Sequence, residues 1–267
     1  MTSLVTDQGI IHYEAYGRGR PVLLLHGWLG SWSLWRDTIE VLGKDFRTYA
    51  IDFWGFGESG ANKDTPNFNF TVENFVQLVP QFMDRLGIVK APLIGHSMGG
   101  TVSLNTAIRY PEKVVKVVVV GSPITGSSLN PFLKLAGFPA IASLLWLFPF
   151  VRYGFVGTIG YLAANNGRQA SNMILRDTTQ VSMQSFFQSI GTLRKTDLRP
   201  LLGNVHVPTL GIYGRKDIIV NPNQRDALKA GVKQAEIAYY QDSGHFPMLD
   251  APDRFIKNLR DFLQAKV

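Results

Sequence analysis

The sequence predicts an α/β fold: a mostly parallel central sheet flanked by helices, with a helical cap inserted into it. Three observations carry this. Short apolar runs such as Pro21–Leu25 and Lys113–Val120 alternate with helical patterns at the spacing of β-α-β units. Pro21–Leu25 is apolar throughout, as strands buried on both faces of a parallel sheet are. From Ile124 to about Asn204 strand signals vanish, and they return at Pro208. The core is therefore expected over 1–123 and 205–267, and the cap over 124–204.

Each element can be justified in turn. Residues 4–16 alternate weakly and are followed by Gly17-Arg18-Gly19, which reads as an N-terminal hairpin. The strand at Pro21–Leu25 runs into the loop His26-Gly27-Trp28-Leu29-Gly30 and then a helix from about Ser33 to Leu42. Thr48–Phe53 is the next strand, leading into the turn-rich Trp54–Gly60. Thr71 caps a helix to about Leu86, with Glu73 and Asn74 in its first turn and Gly87 closing it. A short strand then breaks at Gly95, and a helix runs from Ser97 to about Tyr110, stopped by Pro111. Lys113–Val120 is the most emphatic strand. In the cap, Pro131, Pro139 and Pro149 punctuate long apolar stretches, and residues 171–193 read as an amphipathic helix or pair. Pro208–Tyr213 and Ala235–Tyr240 are the late strands. Pro222 is expected to start a helix that Gly231 closes, and Pro252 to start the last helix, to about Ala265.

Composition narrows the classes. A chain of 267 residues, 45% hydrophobic and 18% charged, can bury a sizeable core and is not disordered. It has no cysteine, which excludes disulfides, thiolate nucleophiles and cysteine-held metals. Met1–Gly9 lacks the basic-then-apolar pattern of a signal peptide, so a cytoplasmic protein is the expectation. The net charge of +7 is scattered. No nucleic-acid motif accompanies it, and no nucleic-acid partner is expected. Lys134 and Arg152 bound a stretch without charge. Two prolines interrupt it, and a membrane span needs roughly 20 apolar residues, so it reads as a lid over an apolar pocket or a lid face that touches membrane.

The chemistry gathers at strand ends. Gly95-His96-Ser97-Met98-Gly99 puts a serine at the tip of a sharp strand-to-helix turn, in front of the positive end of a helix. Asp217 follows one late strand and His245 the next. In a parallel sheet all three reach one edge, where ligand chemistry collects. A serine hydroxyl needs a base within hydrogen-bond reach, and an imidazole titrates in the useful range. The imidazole needs an acceptor for its other N–H, which Asp217 supplies; Asp242 is the nearest rival. The backbone N–H of Met98 and that of Trp28 are the natural donors to a tetrahedral oxyanion. Asp52 is expected to organise its own loop, His12 to be structural or exposed, and His96 to point away from the nucleophile.

These motifs resemble the α/β-hydrolase superfamily, its serine esterase and haloperoxidase-like branch, over nearly the whole chain. The resemblance implies His26-Gly27-Trp28 as the oxyanion loop, with His26 bracing it, Ser97 as nucleophile, Asp217 as triad acid and His245 as base. Relatives that form alkyl-ester intermediates carry aspartate at the elbow, and here that position is Ser97. The expectation is a serine carboxylic-ester hydrolase with a lipophilic small-molecule substrate, such as a medium-chain acyl ester or an ester of a long isoprenoid alcohol. The same triad serves carbon–carbon bond hydrolases and cofactor-free perhydrolases, and a receptor for a small apolar ligand could keep the fold. No metal cluster and no dinucleotide fingerprint is present, so no cofactor is expected.

Overall fold

The computed structural model of the chain describes residues 2–61 and 68–265. It opens with β1 (Thr2–Thr6) and β2 (Gly9–Tyr16), an antiparallel hairpin. Then come β3 (Pro21–Leu25), α1 (Arg36–Leu42), β4 (Arg47–Ile51) and the two-residue β5 (Gly60–Ala61). They are followed by α2 (Val72–Arg85), β6 (Ala91–His96), α3 (Met98–Arg109) and β7 (Val114–Val120). A helical segment follows: α4 (Pro131–Leu135), α5 (Pro139–Leu147), α6 (Pro149–Leu162), α7 (Gly167–Thr178) and α8 (Met183–Leu193). The chain returns through β8 (Thr209–Gly214), α9 (Gln224–Gly231) and β9 (Ala235–Tyr240), then ends in α10 (Pro247–Asp250) and α11 (Pro252–Gln264).

The strands lie in the order β1-β2-β4-β3-β6-β7-β8-β9, with β5 beside β2. Every pairing from β4 to β9 is parallel, and β2 meets β4 antiparallel. From β3 the chain goes outward to β4, then crosses back to β6 on the other side. That reversal opens a crevice at the carboxyl ends of β3 and β6, where ligands bind in open α/β sheets. Register fixes what stands there. Leu25 pairs with Gly95 and His96 with Val120, so the loops after β3, β6 and β7 start side by side.

Local chemistry explains the elements. Val117 to Val120 and Val22 to Leu25 are wholly buried, in keeping with a sheet covered on both faces. Lys116, inside the valine run, is buried too. Its Nζ donates to the carbonyls of Phe262 (2.7 Å) and Ala265 (2.5 Å), capping the negative end of α11. Thr71 caps α2 by accepting from the Asn74 N–H (3.2 Å). Pro131, Pro139 and Pro149 each occupy the first turn of a helix, where the missing N–H costs nothing, so they start α4, α5 and α6.

One boundary departs from expectation. Pro222 lies in the turn ahead of α9, which begins at Gln224 behind Asn223. Gly231 is that helix's last residue, and a side chain there would run into Leu202. Among the described residues no single helix is long and apolar enough to cross a membrane.

Candidate active site

The turn after β6 is built by close approach. A Cβ on Gly95 would collide with the Gly99 carbonyl, and one on Gly99 with the Leu25 carbonyl. Only glycines let α3 start this near to β6 and β3. Between them Ser97 adopts φ 51° and ψ −118°, held by its N–H donating to the Val120 carbonyl (2.8 Å). Ser97 and Leu29 are the non-glycine residues with positive φ among those described. Both line the same cavity, and strained backbone of this kind clusters where a site over-determines it.

His245 lines the same cavity as Ser97. Its Nδ1 donates to Asp217 Oδ2 at 2.7 Å, and both side chains are almost fully buried. Asp217 is itself fixed: Oδ1 accepts from the N–H groups of Ile219 (2.8 Å) and Val220 (2.9 Å). With Nδ1 committed, Nε2 is the imidazole nitrogen left for chemistry. Among the described residues no direct hydrogen bond joins Ser97 to His245, a contact that commonly tightens only with substrate bound. The rival Asp242 is 96% exposed and faces Lys216 at 3.9 Å, so it does not approach His245.

The loop after β3 closes the other side. Gly27 lies so near Ser97 that a Cβ there would come within 3.0 Å of the serine Cβ. The N–H groups of Trp28 and Met98 have no acceptor among the described residues. His26 is fully buried beneath this loop, with Nδ1 donating to the Gly27 carbonyl (2.7 Å) and Nε2 accepting from the Phe53 N–H (3.0 Å). Burial pushes its pKa down, which keeps it neutral and fit for both roles. It does not line the cavity. Trp28 lines the cavity, whereas Trp35 and Trp54 are core residues.

His96 departs from expectation. It does not point away: its ring lies 4.6 Å from that of His245 and lines the cavity. Its Nε2 donates to the His245 carbonyl (2.9 Å), while Nδ1 is buried without a partner. Burial, reinforced by His245 beside it, holds its pKa well below the usual imidazole value. His12 and Asp52 form a separate unit. They pair at 2.8 Å, and Asp52 also accepts from the N–H groups of Trp32 (2.5 Å) and Glu58 (3.0 Å), organising the loop after β4. Burial pulls the His12 pKa down, but the Asp52 hydrogen bond and nearby carboxylates outweigh it and the net shift is upward.

The cavity and its mouth together hold about 580 Å³ of space not filled by atoms, part of it open to solvent. Apart from Ser97, His96, His245 and the Trp28 indole, its walls are apolar; Leu133, Phe155, Val156, Ile159, Ile174 and Ile190 come from the helical segment. That segment is tied to the strand-end loops by contacts that sequence reading missed. The His245 N–H donates to the Ala163 carbonyl (2.7 Å), and Trp28 Nε1 to the Phe186 carbonyl (3.0 Å). Ser31 Oγ donates to Asp177 (2.9 Å), and the Asn165 N–H to Asp250 (2.8 Å). Burial lifts the Asp177 carboxyl above its ordinary pKa, with Ser31 and Arg176 opposing. Among the described residues no group of three or more His, Cys, Asp or Glu side chains is placed to hold a metal ion.

Comparison with known proteins agrees with this architecture. The family model described as "alpha/beta hydrolase fold" matches residues 20–158. The chain is 24% identical over 259 residues to a pimeloyl-[acyl-carrier protein] methyl ester esterase of Vibrio parahaemolyticus, covering 95% of this chain and 98% of that one. It is 27% identical over 270 residues to a 2-hydroxy-6-oxo-6-phenylhexa-2,4-dienoate hydrolase of Comamonas testosteroni, covering 96% and 92%. The crystal structure of an enol-lactonase from Burkholderia xenovorans LB400 superposes with a TM-score of 0.85 at 20% identity, covering 99% and 100%. With the sheet order and the family match in agreement, the chain belongs to the α/β-hydrolase-fold family.

Proposed function

We propose that the protein is a serine hydrolase that cleaves a lipophilic carboxylic ester through an acyl-enzyme. The observation that carries this reading is the arrangement around His245: Nδ1 is fixed on buried Asp217, and His245 and Ser97 line one cavity. In the proposed reaction His245 Nε2 takes the Ser97 proton as Oγ attacks the ester carbonyl. The Trp28 and Met98 N–H groups receive the oxyanion, and losing either donor would raise the barrier by roughly 3 kcal/mol. The imidazolium returns its proton to the departing alcohol. Water then repeats the sequence on the acyl-enzyme and releases the acid.

The apolar walls favour an ester over a dienoate. A carboxylate-bearing carbon–carbon substrate would bury its charge in a cavity that no Lys or Arg among the described residues lines, which is costly. The helical segment, residues 124–204, acts in this reading as the cap whose inner face receives the acyl chain. A series of p-nitrophenyl esters tests it. Turnover should rise from acetate to a medium-chain acyl group and fall again once the chain outgrows the cavity. Replacing Ile159 with Trp should move the optimum to shorter chains. An optimum at acetate that Ile159→Trp leaves in place would contradict the acyl-pocket reading.

A further inference from the structure

We infer that the outward face of α4, α5 and α6 docks on an anionic lipid bilayer. Most large exposed apolar side chains among the described residues lie on this segment rather than being scattered. They culminate at the α5–α6 junction. There Leu147, Phe148, Pro149, Phe150 and Val151 are exposed in unbroken succession, Leu147 at 70% and Phe150 at 75%. A contiguous apolar surface of this kind marks an interaction site.

Geometry and charge select the occupant. The two helices meet at 110°, so the exposed run forms an apex. Neither arm reaches the roughly 20 residues a span requires, which fits lying in one leaflet rather than crossing. Between Glu112 and Asp177 the chain carries no acidic residue. The charged side chains of α4–α6 are Lys134 and Arg152, and neither has a carboxylate partner among the described residues. Arg152 packs over the Trp146 and Tyr153 rings, at 4.2 and 4.7 Å. An apolar apex flanked by unpaired cations and aromatic rings suits acyl chains below and anionic headgroups around them. The other faces of α4 and α6 line the cavity through Leu133, Phe155 and Ile159, so docking would set the cavity walls against the membrane.

Co-sedimentation with vesicles tests this, using phosphatidylcholine alone and phosphatidylcholine with phosphatidylglycerol. The protein should bind the anionic vesicles and lose most binding in high salt. Leu147→Glu with Phe150→Glu should lower the bound fraction at least tenfold, whereas Val5→Glu with Val89→Glu, exposed apolar residues elsewhere, should bind like the parent. Thermal melts of each variant confirm folding. Ser97→Ala should bind vesicles unchanged, which separates docking from the proposed hydrolysis. Binding to neither vesicle would overturn the inference. So would equal binding to both, or self-association in place of vesicle binding that the apex substitutions abolish, which would assign the face to a second copy of the chain.

Discussion

At the scale of single residues, the sequence favours Asp217 as the partner of His245, with Asp242 as its nearest rival. Asp242 is nearer to His245 along the chain, and nearness along the chain says nothing about facing. The fold decides: Asp217 accepts from Nδ1 inside the protein, and Asp242 stands in solvent. Asp217→Asn should therefore lower kcat on a p-nitrophenyl ester by about 10,000-fold through the wrong imidazole tautomer, while Asp242→Asn stays within twofold. The reverse pattern would move the acid role. His96 shows where local reading stops. Its position beside Ser97 was visible, but the direction of its ring depends on the loop after β9, 149 residues away, whose carbonyl it binds.

At the scale of elements, most boundaries were legible because apolar runs, caps and prolines are local signals. The strand at Pro21–Leu25 and the Thr71 cap stand where pattern and hydrogen-bond chemistry put them. The start of α9 was not legible. A proline ahead of a helix is compatible both with its first turn and with the preceding turn. The turn after β6 is the element on which the site depends. Gly95→Ala should cost about 3 kcal/mol or more, because the new methyl meets the backbone of α3 and cannot be relieved by a side-chain rotation. Gly60→Ala, with open space around it, should change stability by less than about 1 kcal/mol. Urea unfolding midpoints compare the two; similar losses would mean that close packing at the turn is not what requires glycine.

At the scale of the whole molecule, the topology explains why dispersed residues can form one site. Ser97, Asp217 and His245 follow β6, β8 and β9, and parallel strands deliver all three to one edge. That convergence could be argued from the alternation of patterns alone. The attachment of the helical segment could not. The Ala163–His245, Phe186–Trp28 and Asp177–Ser31 contacts join residues more than 80 positions apart, and no composition or period announces them. The segment is thus coupled to two of the loops that the proposed chemistry uses, those after β3 and β9.

The most direct measurement of the central claim is labelling with a fluorophosphonate, read by intact mass and peptide mapping. A serine activated by His245 should take one adduct per chain, on Ser97, and lose p-nitrophenyl ester turnover in proportion. Ser97→Ala should remain folded and unlabelled. An adduct elsewhere, or full ester turnover by Ser97→Ala, would contradict the proposed mechanism.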